Sequence, residues 1–303
     1  METSGNSDEG YLKFRKGDQS RLLRIAKRKC FGSWEEFSDF LHVHRSMMFL
    51  YLSEKSKLPK RRFDSILKIA ALEHKDFPCE FIPSTQFSKI PTMINCDVAE
   101  FIGIMLGDGS LNKNNYQITI SCGEIDRDYI RKYIPHLIKK LFAKEVGFRK
   151  ETKGGLDCRF SSKKVCAYLG ETMNFKSPKI NCRIPPSFFE DKKLLRACVR
   201  GLFDTDGGLH KHHITAAQLK FTNKSLSLIR SLKCALEKLN YTPSFTIDNR
   251  HKNIFALYLF GRDVRKYFRE IGSHNPKNLY KFKHWIQNGS VPSNTELLHL
   301  LKS

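Results

Sequence analysis

Two aspartates, Asp108 and Asp206, stand at the end of a motif that occurs twice. Residues 101–111 read FIGIMLGDGSL and residues 199–209 read VRGLFDTDGGL. An offset of 98 positions lays Gly103 on Gly201, Asp108 on Asp206, Gly109 on Gly207 and Leu111 on Leu209, and it carries Pro178-Lys179 onto Pro276-Lys277. A motif repeated in register points to a chain built from two similar halves. If the halves bring the two carboxylates together, they repel each other and share the negative ends of two helices. A cation must then compensate, and hard divalent ions such as Mg²⁺ choose oxygen ligands of this kind. Paired acids around such an ion suit phosphodiester hydrolysis. Asp204 ranks second for this role, because it faces Leu106 under the offset and has no partner.

The elements that must position these acids are helices. Val98, Ala99, Phe101, Ile102, Ile104, Met105 and Leu106 are apolar nearly all round, the composition of a helix buried on most faces. Gly-Asp-Gly then reads as its C-terminus. Gly103 and Gly107 lie four apart on one smooth face, and Gly201 and Thr205 keep that spacing with small side chains. The two motif helices are therefore expected to pack small face to small face.

At these residues the chain resembles the single-chain, two-motif LAGLIDADG homing endonucleases, over roughly residues 96–290. Motif two is close to the family pattern. Motif one departs from it, with Leu106 where an acid is common. The resemblance implies an α+β fold of two pseudo-symmetric αββαββα halves whose sheets form a saddle over DNA. It places metal at Asp108 and Asp206, with their neighbours Gly107 and Thr205, and a basic residue near each site, here Lys179 and Lys277. Asn223 falls where members often carry a polar residue that positions water. Its counterpart in half one is approximately Cys122, a poor substitute.

The order of elements follows from patterning. In half one, Tyr116, Ile118 and Ile120 alternate with Gln117, Thr119 and Ser121, the signature of a half-buried strand whose polar face is offered to DNA. Asp126 to Phe142 reads as an amphipathic helix, a hairpin is centred on Gly154-Gly155, and a short helix precedes Lys179. Half two repeats this: motif helix, strand region from His212 to Thr222, helix from Leu226 to Leu239, hairpin turning at 249–253, and helix from Arg262 to Ile271. Gln117, Thr119, Arg159, Lys220 and Arg250 are the candidate DNA contacts of the two sheets.

Before these halves, residues 21–78 read as a small all-α domain. Ser33 and Glu36 form a capping box ahead of Trp34, Phe37, Phe40 and Leu41. A break at Val43-His44 precedes a second helix from about Arg45 to Leu52, and a third follows Leu58-Pro59. This resembles the repressor-like helix-turn-helix, whose second helix enters the major groove and here would present His44, Arg45 and Ser46. Residues 1–20 are expected to be disordered. Residues 79–95, with Pro83 and Pro91 inside and Pro78 before, read as a linker. The halves are then 96–192 and 193–303, the latter ending in a C-terminal helix opened by the capping box Ser293-x-x-Glu296.

Composition fits a polyanionic partner. The chain has 303 residues with 53 Lys and Arg against 31 Asp and Glu, a net charge of +22. Such an excess on a folded chain points to nucleic acid. Nine cysteines with no C-x-x-C pair read as reduced thiols. No apolar run approaches a membrane span, and the first ten residues resemble no targeting signal. His210, His212 and His213 have no Cys or carboxylate at zinc-ligand spacing beside them.

These readings converge on a monomeric, Mg²⁺-dependent endonuclease acting on a long, specific duplex site. The family cuts across the minor groove and leaves short 3′ overhangs. The expected location is cytoplasm or nucleoid, with an organelle open. Two alternatives remain: a DNA-binding transcription regulator with a degenerate LAGLIDADG domain, and an intron RNA maturase, because the same basic saddle can hold RNA. An intein does not fit the Met1 start or the Leu-Leu-Lys-Ser end.

Overall fold

The computed structural model describes residues 10–83, 89–112, 114, 116–150, 154–171, 175, 179–213, 215–247 and 254–300. The chain divides into two compact units, Met1–Phe87 and Ser88–Ser303.

The first unit contains β1 (Gly10–Phe14), α1 (Asp18–Cys30), α2 (Trp34–Phe40), α3 (Arg45–Leu52), β2 (Leu58–Pro59), α4 (Lys60–Ala70) and β3 (Cys79–Pro83). Ser33 caps α2, its hydroxyl accepting from the Glu36 amide at 3.1 Å. The core is built from Leu22, Leu23, Phe37, Met48, Phe63 and Ile66, all fully enclosed. The all-α expectation needs correcting: β1 pairs antiparallel with both β2 and β3 to make a three-stranded sheet. Disorder over residues 1–20 is likewise corrected for Gly10–Phe14 and the start of α1, and the expected linker begins with a strand. Leu12 explains the change, since it is buried in the same core as the helices. A strand burying its apolar residues offsets the entropy of ordering them.

The second unit holds both halves. Half one runs α5 (Cys96–Gly107), β4 (Gly109–Asn112), β5 (Gln117–Cys122), α6 (Ile134–Phe142), β6 (Gly147–Lys150), β7 (Leu156–Ser161) and α7 (Lys163–Glu171). Half two runs α8 (Lys192–Asp206), β8 (Gly207–Lys211), β9 (Ala217–Asn223), α9 (Leu226–Lys238), β10 (Ser244–Ile247), β11 (Phe255–Phe260) and α10 (Arg262–Glu270), followed by α11 (Pro276–Asn288) and α12 (Asn294–Leu300). Both are αββαββα, as expected. Their sheets share one antiparallel order, β4-β5-β7-β6 and β8-β9-β11-β10. The helix expected over 126–142 has a π-helical segment, Tyr129–Tyr133, before α6.

The α5–α8 contact holds the halves together. A Cβ added to Gly103 would lie 2.1 Å from the Cys198 carbonyl oxygen, and one on Gly201 would lie 2.2 Å from the Glu100 carbonyl oxygen. Cys198 is Glu100 moved by the repeat offset, so the two contacts are related by the duplication itself. Only a residue without a side chain permits backbones so close. Around this seam one apolar cluster, including Phe101, Ile104, Leu202, Phe203, Phe221 and Tyr267, runs through both halves.

Candidate metal-dependent site at the paired helix ends

Asp108 is the C-cap of α5, its amide bonded to the Ile104 carbonyl, and Asp206 is the last residue of α8. The close helix packing carries both to one place. A Cβ on Gly107 would come within 3.5 Å of the Asp206 carboxyl carbon. Both aspartates are half-buried. Burial, and then the charge of Asp206, pushes the Asp108 carboxyl well above the ordinary aspartate range; burial also raises Asp206, against the pull of Asn223 and Lys179. Two raised acids in one crevice are a site that gains by taking up a cation. The residues therefore fit Mg²⁺ or a related divalent ion, with Asp108 and Asp206 as its holders.

The lysines are arranged crosswise. Lys179 Nζ donates to the Gly107 carbonyl and, at 3.2 Å, to that of Leu106, so its ammonium sits on the negative end of α5. It also lines a cavity of about 450 Å³ with Asp206, Thr222, Asn223, Lys224 and Ser225. Lys179, from half one, thus stands in the same cavity as the acid of half two. Burial lowers its pKa, opposed by Asp206 and Asp108. Lys277 instead pairs with Asp126 at 2.7 Å, and both bear electrostatically on Asp108.

The strand ladders put Asn223 and Cys122 at equivalent positions of the two halves. Gly207 pairs with Phe221, and Gly109 pairs with Ile120, so the residue two further along is Asn223 in one half and Cys122 in the other. Asn223 Nδ2 donates to Asp206 Oδ2, while its Oδ1 accepts from the Ser225 amide at 2.7 Å. Cys122 offers a thiol, a weaker donor than an amide, and burial, Asp126 and Asp108 push it up to about 12. The Thr205 hydroxyl turns back onto the Gly201 and Leu202 carbonyls at 3.0 and 3.1 Å, away from a ligand role for the side chain.

Asp204 lies elsewhere. It is 1% exposed and takes hydrogen bonds from the Ser273 hydroxyl, the His274 amide and Asn278. Glu100, Asp204 and His274 bring possible ligand atoms within 4.8 Å of one another. Their oxygens are already used, however. Glu100 accepts from Arg200 at 2.5 Å, Tyr133 at 2.7 Å and His274 at 2.6 Å. A guanidinium on the carboxylate supplies the positive charge a metal would bring, so this trio is a hydrogen-bond network. It ties the 273–278 segment to both motif helices. Sequence reading missed Asp126, which also accepts from Asn275 Nδ2 at 2.6 Å. The only signal was its position opening an amphipathic helix.

Of the candidate nucleic-acid contacts, Gln117 and Thr119 lie on the polar side of β5, with Arg159 opposite Thr119. Lys220 stands on the equivalent side of β9, over the Tyr258 ring. Arg250 lies outside the described residues. In the first unit His44, Arg45 and Ser46 are exposed at the start of α3, with the His44 ring 2.9 Å from the Ser46 hydroxyl.

Residues 193–272 match the family model of the LAGLIDADG-like domain. The chain carries a LAGLIDADG-like domain. It is similar to the ATP-dependent DNA helicase Hel308 of Thermococcus kodakarensis, 26% identical over 211 residues, covering 64% of this chain and 18% of that one. It is similar too to the replication factor C small subunit of Methanocaldococcus jannaschii, 30% identical over 122 residues, covering 40% of this chain and 6% of the other. The chain thus spans a fifth or less of the length of these two curated relatives. Among solved structures, I-DmoI in complex with DNA and Ca aligns with a TM-score of 0.49 and 18% identity, covering 62% of this chain and 97% of that one. Full-length DUF199/WhiA from Thermatoga maritima aligns at 0.46 and 16%, covering 70% and 68%. Among the described residues no helix is long and apolar enough to cross a membrane.

Proposed function

We propose that this chain is a divalent-metal-dependent endonuclease that cuts duplex DNA. The observation that carries the proposal is the meeting of Asp108 and Asp206, whose charges are unfavourable together until a cation joins them. A bound Mg²⁺ would lower the pKa of a water and steady the leaving oxygen. Asn223 orients Asp206, and Lys179 presents positive charge in the same cavity, where a phosphate oxygen carries the negative charge that builds up in the reaction. The polar strand faces with Gln117, Thr119, Arg159 and Lys220 supply base and phosphate contacts, and the +22 charge supplies long-range attraction. His44, Arg45 and Ser46 on the first unit offer a second, groove-reading contact. The chain acts as a monomer, since it carries both halves of the site.

The test is a DNA library incubated with the protein and Mg²⁺, with the ends sequenced, beside Asp206→Asn. The proposal predicts defined double-strand breaks for the parent and at most nicks for the variant. Tight duplex binding with no cleavage would favour the regulator reading, and preference for folded intron RNA the maturase reading.

A further inference from the structure

Among the described residues no carboxylate is in salt-bridge contact with the buried Lys281 ammonium. Its side chain is 3% exposed, and its Nζ reaches two neutral acceptors, Asn294 Oδ1 at 2.6 Å and the Leu209 carbonyl at 3.4 Å. Among the described residues no ion pair satisfies it. Burial, and then the charge of Lys277, lowers its pKa to about 8, against the opposing pull of Asp126 and Glu296. Enclosed positive charge with no carboxylate in direct contact is costly.

This ammonium stands on the wall of an open cavity of about 890 Å³ between β8, α11 and the 290–299 segment. His210, Lys211, His284 and His299 line the same cavity. Among the described residues the one acid on its wall is Glu296, which caps α12, its carboxylate accepting from the Ser293 amide at 2.6 Å, and whose charge bears on His284, Lys211 and Lys281. His210 and Lys211 belong to β8, the edge strand of the second sheet. In the ladder His210 faces Gln218 and Gly208 faces Lys220, so His210 shares the polar face that carries Lys220. The cavity therefore opens at the border of the face already assigned to nucleic acid.

We propose that this cavity is a phosphate-binding site, with Lys281 at its base and Lys211, His210 and His284 around it. A tetrahedral oxyanion supplies the charge that Lys281 lacks and accepts hydrogen bonds from ammonium and imidazole groups. If the nucleic-acid reading of the second unit holds, the occupant is a backbone phosphate beyond the cleaved bond; otherwise it is a free phosphate or phosphate monoester.

Two measurements on the full chain, with a chelator and no divalent metal, test this. The first is calorimetric titration with inorganic phosphate, where Lys281→Met is expected to bind roughly tenfold or more weakly than the parent. The second is the salt dependence of duplex affinity, where a lost phosphate contact lowers the slope of log K against log salt by about one and weakens all sequences alike. Loss of both supports a backbone phosphate as occupant. Loss of phosphate binding alone supports a free phosphate. A parent that binds no phosphate, together with an unchanged salt slope in the variant, overturns the proposal. Should Lys281→Met fail to fold, Lys211→Gln, on the exposed rim, is read in the same two ways. Because no metal is present and no cleavage is scored, failure of the endonuclease reading leaves this result intact.

Discussion

At the scale of single residues, the charge state of the aspartate pair sets a pH dependence. Asp108 is raised toward about 7 from an ordinary value near 4, so its neutral form is favoured in the fold. That preference stabilises the protein below the unfolded value and is lost as pH rises through the folded one. Metal-free protein is expected to lose thermal stability from pH 4 to pH 7. The loss should be smaller in Asp206→Asn, where Asp108 no longer faces a second charge. Added Mg²⁺ should raise the melting temperature more at pH 8 than at pH 5. Equal profiles for parent and variant would show that the carboxylates do not interact. The Asn223–Cys122 inequality predicts unequal strands. Among the described residues only Asp206 of the pair has a side-chain amide donor at its side, so the half-two site should cut first and nicked duplex should accumulate. Asn223→Ala should slow the faster strand roughly tenfold or more, the usual cost of losing a group that orients a ligand. Cys122→Asn should speed the slower one, as read by strand-labelled substrates.

At the scale of elements, two helices decide whether there is a site at all. Gly103→Ala or Gly201→Ala drives a methyl group into a carbonyl oxygen of the facing helix. Backbone cannot move aside as a side-chain tip can, so each change should cost about 1–3 kcal/mol or more, measured by chemical denaturation. Cleavage should fall further than stability, because separating α5 from α8 also separates Asp108 from Asp206. Beside this seam, Glu100 is 1% exposed between Arg200, Tyr133 and His274. Glu100→Ala strands the Arg200 guanidinium and should destabilise by about 3–5 kcal/mol. A change under 1 kcal/mol would mean that the network is not holding α5, α8 and the 273–278 segment together.

At the scale of the molecule, each unit has its own enclosed core: Phe37 and Phe63 in one, Phe101 and Phe203 in the other. The fragment 88–303 should therefore fold alone and keep the cleavage chemistry. Duplex affinity should drop if His44, Arg45 and their unit make the contacts proposed for them. A fragment that binds as tightly as the full chain would remove the first unit from recognition.

The αββαββα order was implied by the resemblance to a known family, while the sequence by itself determined the duplication, the positions of Asp108 and Asp206 and the cationic character. Each of these is written in local periodicity, composition or a fixed offset, which need no knowledge of what lies across the fold. The tertiary structure decided the partners. Lys179 lies over carbonyls 72 positions back, Asn275 reaches Asp126 across 149 positions, and Asn223 meets Asp206 only because a ladder register places it there. It also decided that Asp204 is a structural anchor while Asp206, two residues on, lies in the crevice, since successive helix positions point about 100° apart. The sheet of the first unit was hidden for a related reason. A two-residue strand and strands of five, 45 or more positions apart, carry too little periodicity to announce their pairing.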